Sequence, residues 1–273
     1  MKMFRMKRKG LVVLLGLILV ILFISSYRYV KVSLYPVIKH IEKNRILSNV
    51  EKYNIVDTEH FTIRYNSDDH EAAELTANIS EKYYEEVCKM YGYEPKDKVN
   101  IVIYDDKKTI LKNTRLNKST SPIGIYYSGV INVLSPKLWI DDKSDLSKIY
   151  EINGPVVHEF AHLIIDEMTN GNYPMWLTEG MALYTEYKTT GFEWSNDNLS
   201  HEEVSIEDLD TRFDEIDQST AYRKSFEVVR SISETWGFNK LKLILDTLGK
   251  GSSINGSVKA VLKSDLYEIK ITY

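Results

Sequence analysis

The sequence predicts an α+β fold, with strands gathered in the first half of the body and helices in the second. Two observations carry this expectation. Short β-rich runs, Phe61–Tyr65 and Val99–Tyr104, fall before residue 135 and are bounded by polar segments. From residue 145 onward, apolar residues recur at helical spacing in runs too long for strands. Strands first and helices later argue against a sheet alternating with helices. A third feature stands ahead of both: residues 11–24 are apolar except for Gly16.

That apolar stretch follows Lys2, Arg5, Lys7, Arg8 and Lys9. Counted from Gly10 to about Val30, it is long enough to cross a bilayer with some thinning or snorkelling. Ser25-Ser26 followed by Tyr27-Arg28-Tyr29 makes a poor cleavage site, which favours an uncleaved anchor over a signal peptide that would release a secreted protein. The basic bias places residues 1–9 in the cytoplasm as a tail, 10–30 as the transmembrane anchor and the body outside the cell, on a bacterial surface. Residues 31–50, with one proline, Pro36, read as a juxtamembrane spacer that is partly helical over 37–47. Residues 51–273 form one globular domain.

The body is acidic. Net charge is -4 over 273 residues, and the five positives of the tail leave -9 on the rest, which excludes nucleic acid as a partner. Cys88 is the single cysteine, so no internal disulfide or thiolate metal cluster can form.

The elements follow in order. Phe61–Tyr65 alternates as a strand. Asp68 and Asp69 offer an N-cap to a helix with Ala72, Leu75, Ile79, Tyr83, Val87 and Met90 at helical spacing, closed by Gly92. Val99–Tyr104 is a second strand, followed by a short helix near 109–112 and a polar loop over 113–121. Residues 123–134 form one or two strands, with Ser128-Gly129 as a turn or bulge. Gly154-Pro155 opens the next helix, with Asn153 as its cap, and Asn170-Gly171 ends it. Pro174 starts a helix carrying Trp176, Leu177, Glu179, Met181 and Ala182. Residues 190–215 read as a polar surface loop with one short helical piece. Ser219 caps a helix with Tyr222, Phe226, Val229 and Ile232 along one face. Two shorter helices follow, near 240–248 and 254–263.

The helix after Pro155 holds the chemistry. His158-Glu159-Phe160-Ala161-His162 places two histidines one turn apart on one face, among Val156, Val157, Leu163, Ile164 and Ile165. Burying two imidazoles and a carboxylate without partners would cost several kcal/mol. A shared zinc ion removes that objection, with Glu159 beside the water it binds. A catalytic zinc needs a third protein ligand. Glu179, on the next helix, is the best candidate, with Glu167 and Glu186 as weaker rivals.

His158-Glu159-Phe160-Ala161-His162 together with Trp176-Leu177-Thr178-Glu179-Gly180-Met181-Ala182 resembles the gluzincin metallopeptidases. In particular it is similar to small bacterial peptidases with a Trp-Leu-x-Glu-Gly-x-Ala segment. The likeness extends back to His60–Tyr65 and forward to Tyr222 and Trp236-Gly237. It implies a thermolysin-like catalytic fold that binds one Zn2+ through His158, His162 and Glu179, with Glu159 as general base and a peptide or protein as substrate. Tyr222-Arg223-Lys224-Ser225 resembles the Tyr-x-Lys-Gly segment that supplies a catalytic tyrosine in aminopeptidase-type gluzincins, with Ser225 in place of glycine. His201 is the alternative donor to the oxyanion.

Two departures shape the substrate expectation. Aminopeptidase-type relatives carry Gly-x-Met-Glu-Asn, whose glutamate grips the substrate's amino terminus. The nearest match here, Gly129-Val130-Ile131-Asn132, has no glutamate. An endopeptidase is therefore expected, with these four residues binding substrate and Val130–Leu134 as an edge strand for its backbone. Thermolysin also has a supporting aspartate four residues after its glutamate ligand, where this chain has Leu183. Asp166, one turn past His162, is expected to orient a histidine instead, against the plainer reading of a surface aspartate. Two rival functions stand beside the peptidase: a zinc hydrolase of non-peptide amides or esters, and a non-catalytic zinc-containing binding or sensor protein.

Overall fold

The computed structural model describes residues 8–66, 68–116, 122–142, 144–193 and 204–271, without the side chains of 8–15 and 17–26. Helix α1 (Arg8–Asn49) leads into strands β1 (Asn54–Asp57) and β2 (Phe61–Tyr65), helix α2 (His70–Tyr91), strand β3 (Val99–Tyr104), helix α3 (Lys107–Thr114), and strands β4 (Gly124–Tyr127) and β5 (Val130–Leu134). Helices complete the chain: α4 (Leu146–Asn153), α5 (Val156–Thr169), α6 (Met175–Thr190), α7 (Ile206–Thr211), α8 (Gln218–Trp236), α9 (Phe238–Gly249) and α10 (Ile254–Leu262). This is the expected α+β order.

The five strands form one mixed sheet in the order β1-β2-β3-β5-β4. The inner pairs β2–β3 and β3–β5 are parallel, and the outer pairs are antiparallel. β3 reads as a continuous apolar run because both of its faces are covered. Ile101 and Ile103 point into the main core with α2 and α5, whereas Val102 and Tyr104 point to a second core with Ile46, Val50, Ile110 and Val130.

Residues 123–134 make two strands. Ser128 (φ 49°) and Gly129 (φ 83°) both take the left-handed conformation that a tight hairpin between twisted strands requires. The hairpin folds β4 outside β5, so Val130–Leu134 is not the edge strand. It is buried between β3 and β4, and β4 holds the edge.

Several helix starts differ from expectation. Asn153 ends α4 rather than capping α5, whose N-cap is Pro155. α8 starts two residues earlier than a Ser219 cap would set it, because the Asp217 carboxylate accepts from the Thr220 N–H. Asp69 takes the N-cap position of α2 as expected, but its side chain bonds no N–H of the helix. Its carboxylate instead accepts from the Ser135 hydroxyl at 3.1 Å, tying the helix start to the end of β5.

The stretch read as a spacer is helical through to Asn49, with Pro36 inside the helix, and its end packs against the body through Ile46 and Val50. The anchor expected over 10–30 falls mostly on residues whose side chains lie outside the described set. Among the described residues, no helix is long and apolar enough to cross a membrane.

Candidate metal centre

α5 and α6 build the site together. The backbone of α5 sets His158 and His162 one turn apart, with their Nε2 atoms 3.1 Å from each other. Asn170 (φ 51°) and Gly171 (φ 68°) turn the chain by left-handed geometry, and α6 returns along α5 in the opposite direction. Residue 162 therefore meets 178, and residue 158 meets 179 and 186. Glu179 Oε2 comes to lie 3.4 Å from His158 Nε2 and 3.5 Å from His162 Nε2.

The three atoms form a nearly equilateral triangle, and their burial makes them chemically demanding. His162 is 8 % exposed and Glu179 5 %. Glu179 Oε2 is fully buried with no well-directed hydrogen bond: the imidazole nitrogens stand around it at ion-pair distance, 3.4 and 3.5 Å away. An orphaned buried carboxylate oxygen is costly unless a cation completes it. A tetrahedral zinc with bonds near 2.0–2.1 Å sets its ligand atoms about 3.3 Å apart, which the triangle matches. The residues present fit the ion.

The electrostatics agree. Burial works to raise the Glu179 carboxyl, but His162 and His158 outweigh it and hold it well below the usual carboxylate range. Burial works to lower His158, but Glu179 and Glu186 outweigh it and hold the ring well above the usual imidazole range. Buried carboxylates crowded around two imidazoles favour positive charge among them, as a proton on a ring or as a divalent cation in its place.

Glu159 points at the same place from the β4 side. Burial raises its carboxyl, and the Tyr126 N–H donates to Oε2. Tyr222 joins from α8. Its phenol interacts with Glu179, and burial together with the Glu179 and Glu159 carboxylates holds it protonated, far above the ordinary tyrosine range. Gly180 makes this possible. A Cβ there would collide with the Ser225 backbone carbonyl, so Gly180 brings α6 against α8 rather than against α5. That contact sets Tyr222, one turn before Ser225, beside Glu179.

Other expected residues lie elsewhere. Asp166 does not orient a histidine. It is wholly buried and accepts from the Tyr35 and Tyr126 hydroxyls and the Lys39 ammonium. Thr178 and Glu186 stand beside the histidines instead: Thr178 Oγ1 lies 2.6 Å from His162 Nδ1, and Glu186 Oε2 lies 3.6 Å from His158 Nδ1. Their signal in the sequence is position alone, one residue before and two helical turns after Glu179. Glu167 accepts from the Tyr93 hydroxyl and pairs with Lys39, away from the triad. Gly129-Val130-Ile131-Asn132 does not line the site. Gly129 makes the turn, Val130 and Ile131 enter the two cores, and Asn132 Oδ1 accepts from the Tyr104 hydroxyl at 2.9 Å. His201 lies outside the described residues.

A profile of the peptidase MA superfamily matches residues 81–272, which carry the whole triad. The chain belongs to the peptidase MA superfamily. No curated protein matches it. Members of this superfamily are typically metal-dependent, and among the described residues of this peptidase, His158, His162 and Glu179 are the group able to hold an ion.

Proposed function

We propose that this peptidase MA member is a zinc-dependent endopeptidase, held in the cell membrane by residues 10–30, with its site outside the cell. The orphaned Oε2 of Glu179, in a triangle with two imidazole nitrogens, carries the zinc reading. Zinc held there supplies Lewis acidity, polarising a carbonyl and acidifying water. Glu159 takes the proton from the attacking water and passes it to the leaving amine. Its Oε2 is fixed by the Tyr126 N–H, which leaves Oε1 for that transfer. Tyr222, held protonated, donates to the oxyanion that forms on the scissile carbonyl. Thr178 and Glu186 fix the ring orientations of the two histidines.

The substrate reading rests on β4. It is the edge strand next to α5, and Tyr126 ties that edge to the base. An extended peptide laid along β4 passes the triad with its backbone already aligned. No acidic side chain occurs in Gly129-Val130-Ile131-Asn132 to bind an amino terminus, which favours cutting within chains. The five positives before the apolar stretch support the anchor and its orientation.

The test uses the full chain in detergent, with metal analysis and mass-spectrometric mapping of peptide-library products. The expected result is about one zinc per chain and internal cleavage, with a ~100- to 10,000-fold loss of kcat in Glu159→Gln at unchanged zinc content. Unimpaired cleavage by Glu159→Gln would sink the mechanism. Products trimmed only from the amino end would overturn the endopeptidase reading, and turnover confined to small amides or esters would replace the substrate class. Protection of the body's epitopes from external protease in intact cells would overturn the orientation.

A further inference from the structure

Asp166 sits one turn beyond His162 on α5 and is 0 % exposed. Its two oxygens take four donors from three separate parts of the chain. Tyr35 and Lys39 reach it from α1, with Lys39 Nζ at 2.7 Å. Tyr126 Oη reaches it from β4 at 2.7 Å, and Tyr173 Oη from the α5–α6 turn at 3.4 Å. The Lys39 ammonium also lies 5.8 Å from the centre of the Tyr126 ring. Tyr126 faces two ways. Its hydroxyl donates to Asp166 and accepts from the Gly129 N–H at 3.1 Å, while its own backbone N–H donates to Glu159. β4 has a partner strand on one side only, so nothing in the sheet fixes its outer edge. The Tyr126 hydroxyl ties it to α5 at Asp166, beside the Tyr126 N–H bond to Glu159. Gly124, on the same strand, is close enough to Pro155 that a Cβ there would collide with its ring, so a small shift of β4 moves directly against the start of α5 and Glu159.

We propose that Tyr35 and Lys39 of α1 are positioning residues for Glu159, acting through Asp166 and the Tyr126 hydroxyl, so that the extra-membrane half of α1 is part of the catalytic machinery and not a spacer. This rests on the peptidase reading above. The physical reason is leverage. A carboxylate that must transfer a proton loses rate when its oxygen is misplaced by a fraction of an ångström, whereas substrate binding along an edge strand tolerates such a shift. Removing the α1 donors takes two of the four donors from the Asp166 carboxylate, so the carboxylate resettles, and the Tyr126 hydroxyl bonded to it shifts the edge of β4 and the N–H that holds Glu159. The effect therefore falls on kcat and leaves KM and the zinc ligands alone.

The test uses the full chain in detergent, as Tyr35→Phe with Lys39→Met and, separately, as Tyr126→Phe, which is mild enough to fold where the double variant does not. Two measurements are made: hydrogen exchange at the residue 126 amide by mass spectrometry, and steady-state cleavage of a quenched fluorescent peptide taken from the library products. Exchange at residue 126 should quicken at least tenfold while the β3 amides are unchanged. kcat should fall about five- to fiftyfold with KM within twofold and zinc content unchanged. Unchanged exchange at residue 126, unchanged kcat, or a parallel loss of zinc and KM would overturn the proposal. A wild-type protein that cleaves no peptide would instead sink the peptidase reading, and exchange at residue 126 then decides this proposal alone.

Discussion

Helix α5 carries two clusters of buried charge one turn apart, and they are completed in opposite ways. Around His158 and His162, Glu179 Oε2 is buried without a well-directed hydrogen bond. Around Asp166, two tyrosine hydroxyls and an ammonium group make close hydrogen bonds, and a third hydroxyl stands further off. The first cluster has lone pairs left over, converging on one point. The second is closed. A buried acceptor without a donor costs free energy until a ligand satisfies it, whereas a saturated one rigidifies whatever its donors belong to. One end of α5 thus holds a site, and the other holds a joint between α1, β4 and the site's own helix.

The widest separation between the two should appear on removing their central carboxylates. Glu179→Ala takes away the third ligand, and zinc measured on the purified full chain should fall from about one per chain to less than a tenth, with all cleavage lost. Asp166→Ala takes the acceptor from three hydroxyls and leaves the Lys39 ammonium with Glu167 alone, and should cost about 3–5 kcal/mol of unfolding free energy while zinc remains bound. If Asp166→Ala lost zinc as completely as Glu179→Ala, the two clusters would be one. A finer division lies within the first cluster. Glu186→Gln keeps the side chain beside His158 but removes its charge, and chelator competition should show zinc held about 10- to 100-fold more weakly.

A control concerns a group that belongs to neither cluster. Burial pushes the Cys88 thiol up to about 11, and because only the thiolate reacts, fewer thiolates are present at any lower pH. Alkylation of the native protein at pH 8 should run about 100-fold slower than that of a free thiol, rise with pH, and reach the free rate only on unfolding. Fast labelling at pH 8 would show that α2 opens away from the core.

Much of the first cluster was legible in the sequence because its information is local. His158, Glu159 and His162 share a face by helical period alone, and Pro174 with Asn170-Gly171 marks the turn that brings back Glu179. Little of the second was legible. Tyr35, Lys39, Tyr126 and Asp166 are separated by up to 131 residues, and no period or spacing links them. Gly129-Val130-Ile131-Asn132 misled for a related reason: a β-rich run does not reveal whether its strand is central or at the edge, and the hairpin at Ser128-Gly129 put β4 outside it. The family match covers residues 81–272 and so leaves α1 outside, while Tyr126 and Asp166 lie within it.

By itself the sequence determined the α+β order, the motif helix, the paired imidazoles with Glu159 beside them, and the turn that brings the next helix back toward them, since each follows from the period of a helix or the conformational limits of proline, glycine and asparagine. Only the tertiary structure decided which strand is the edge, which α6 face meets α8, and what Asp166 does. Those depend on contacts between segments far apart in the chain, where the energy lies in satisfying buried polar groups rather than in any local preference of the backbone.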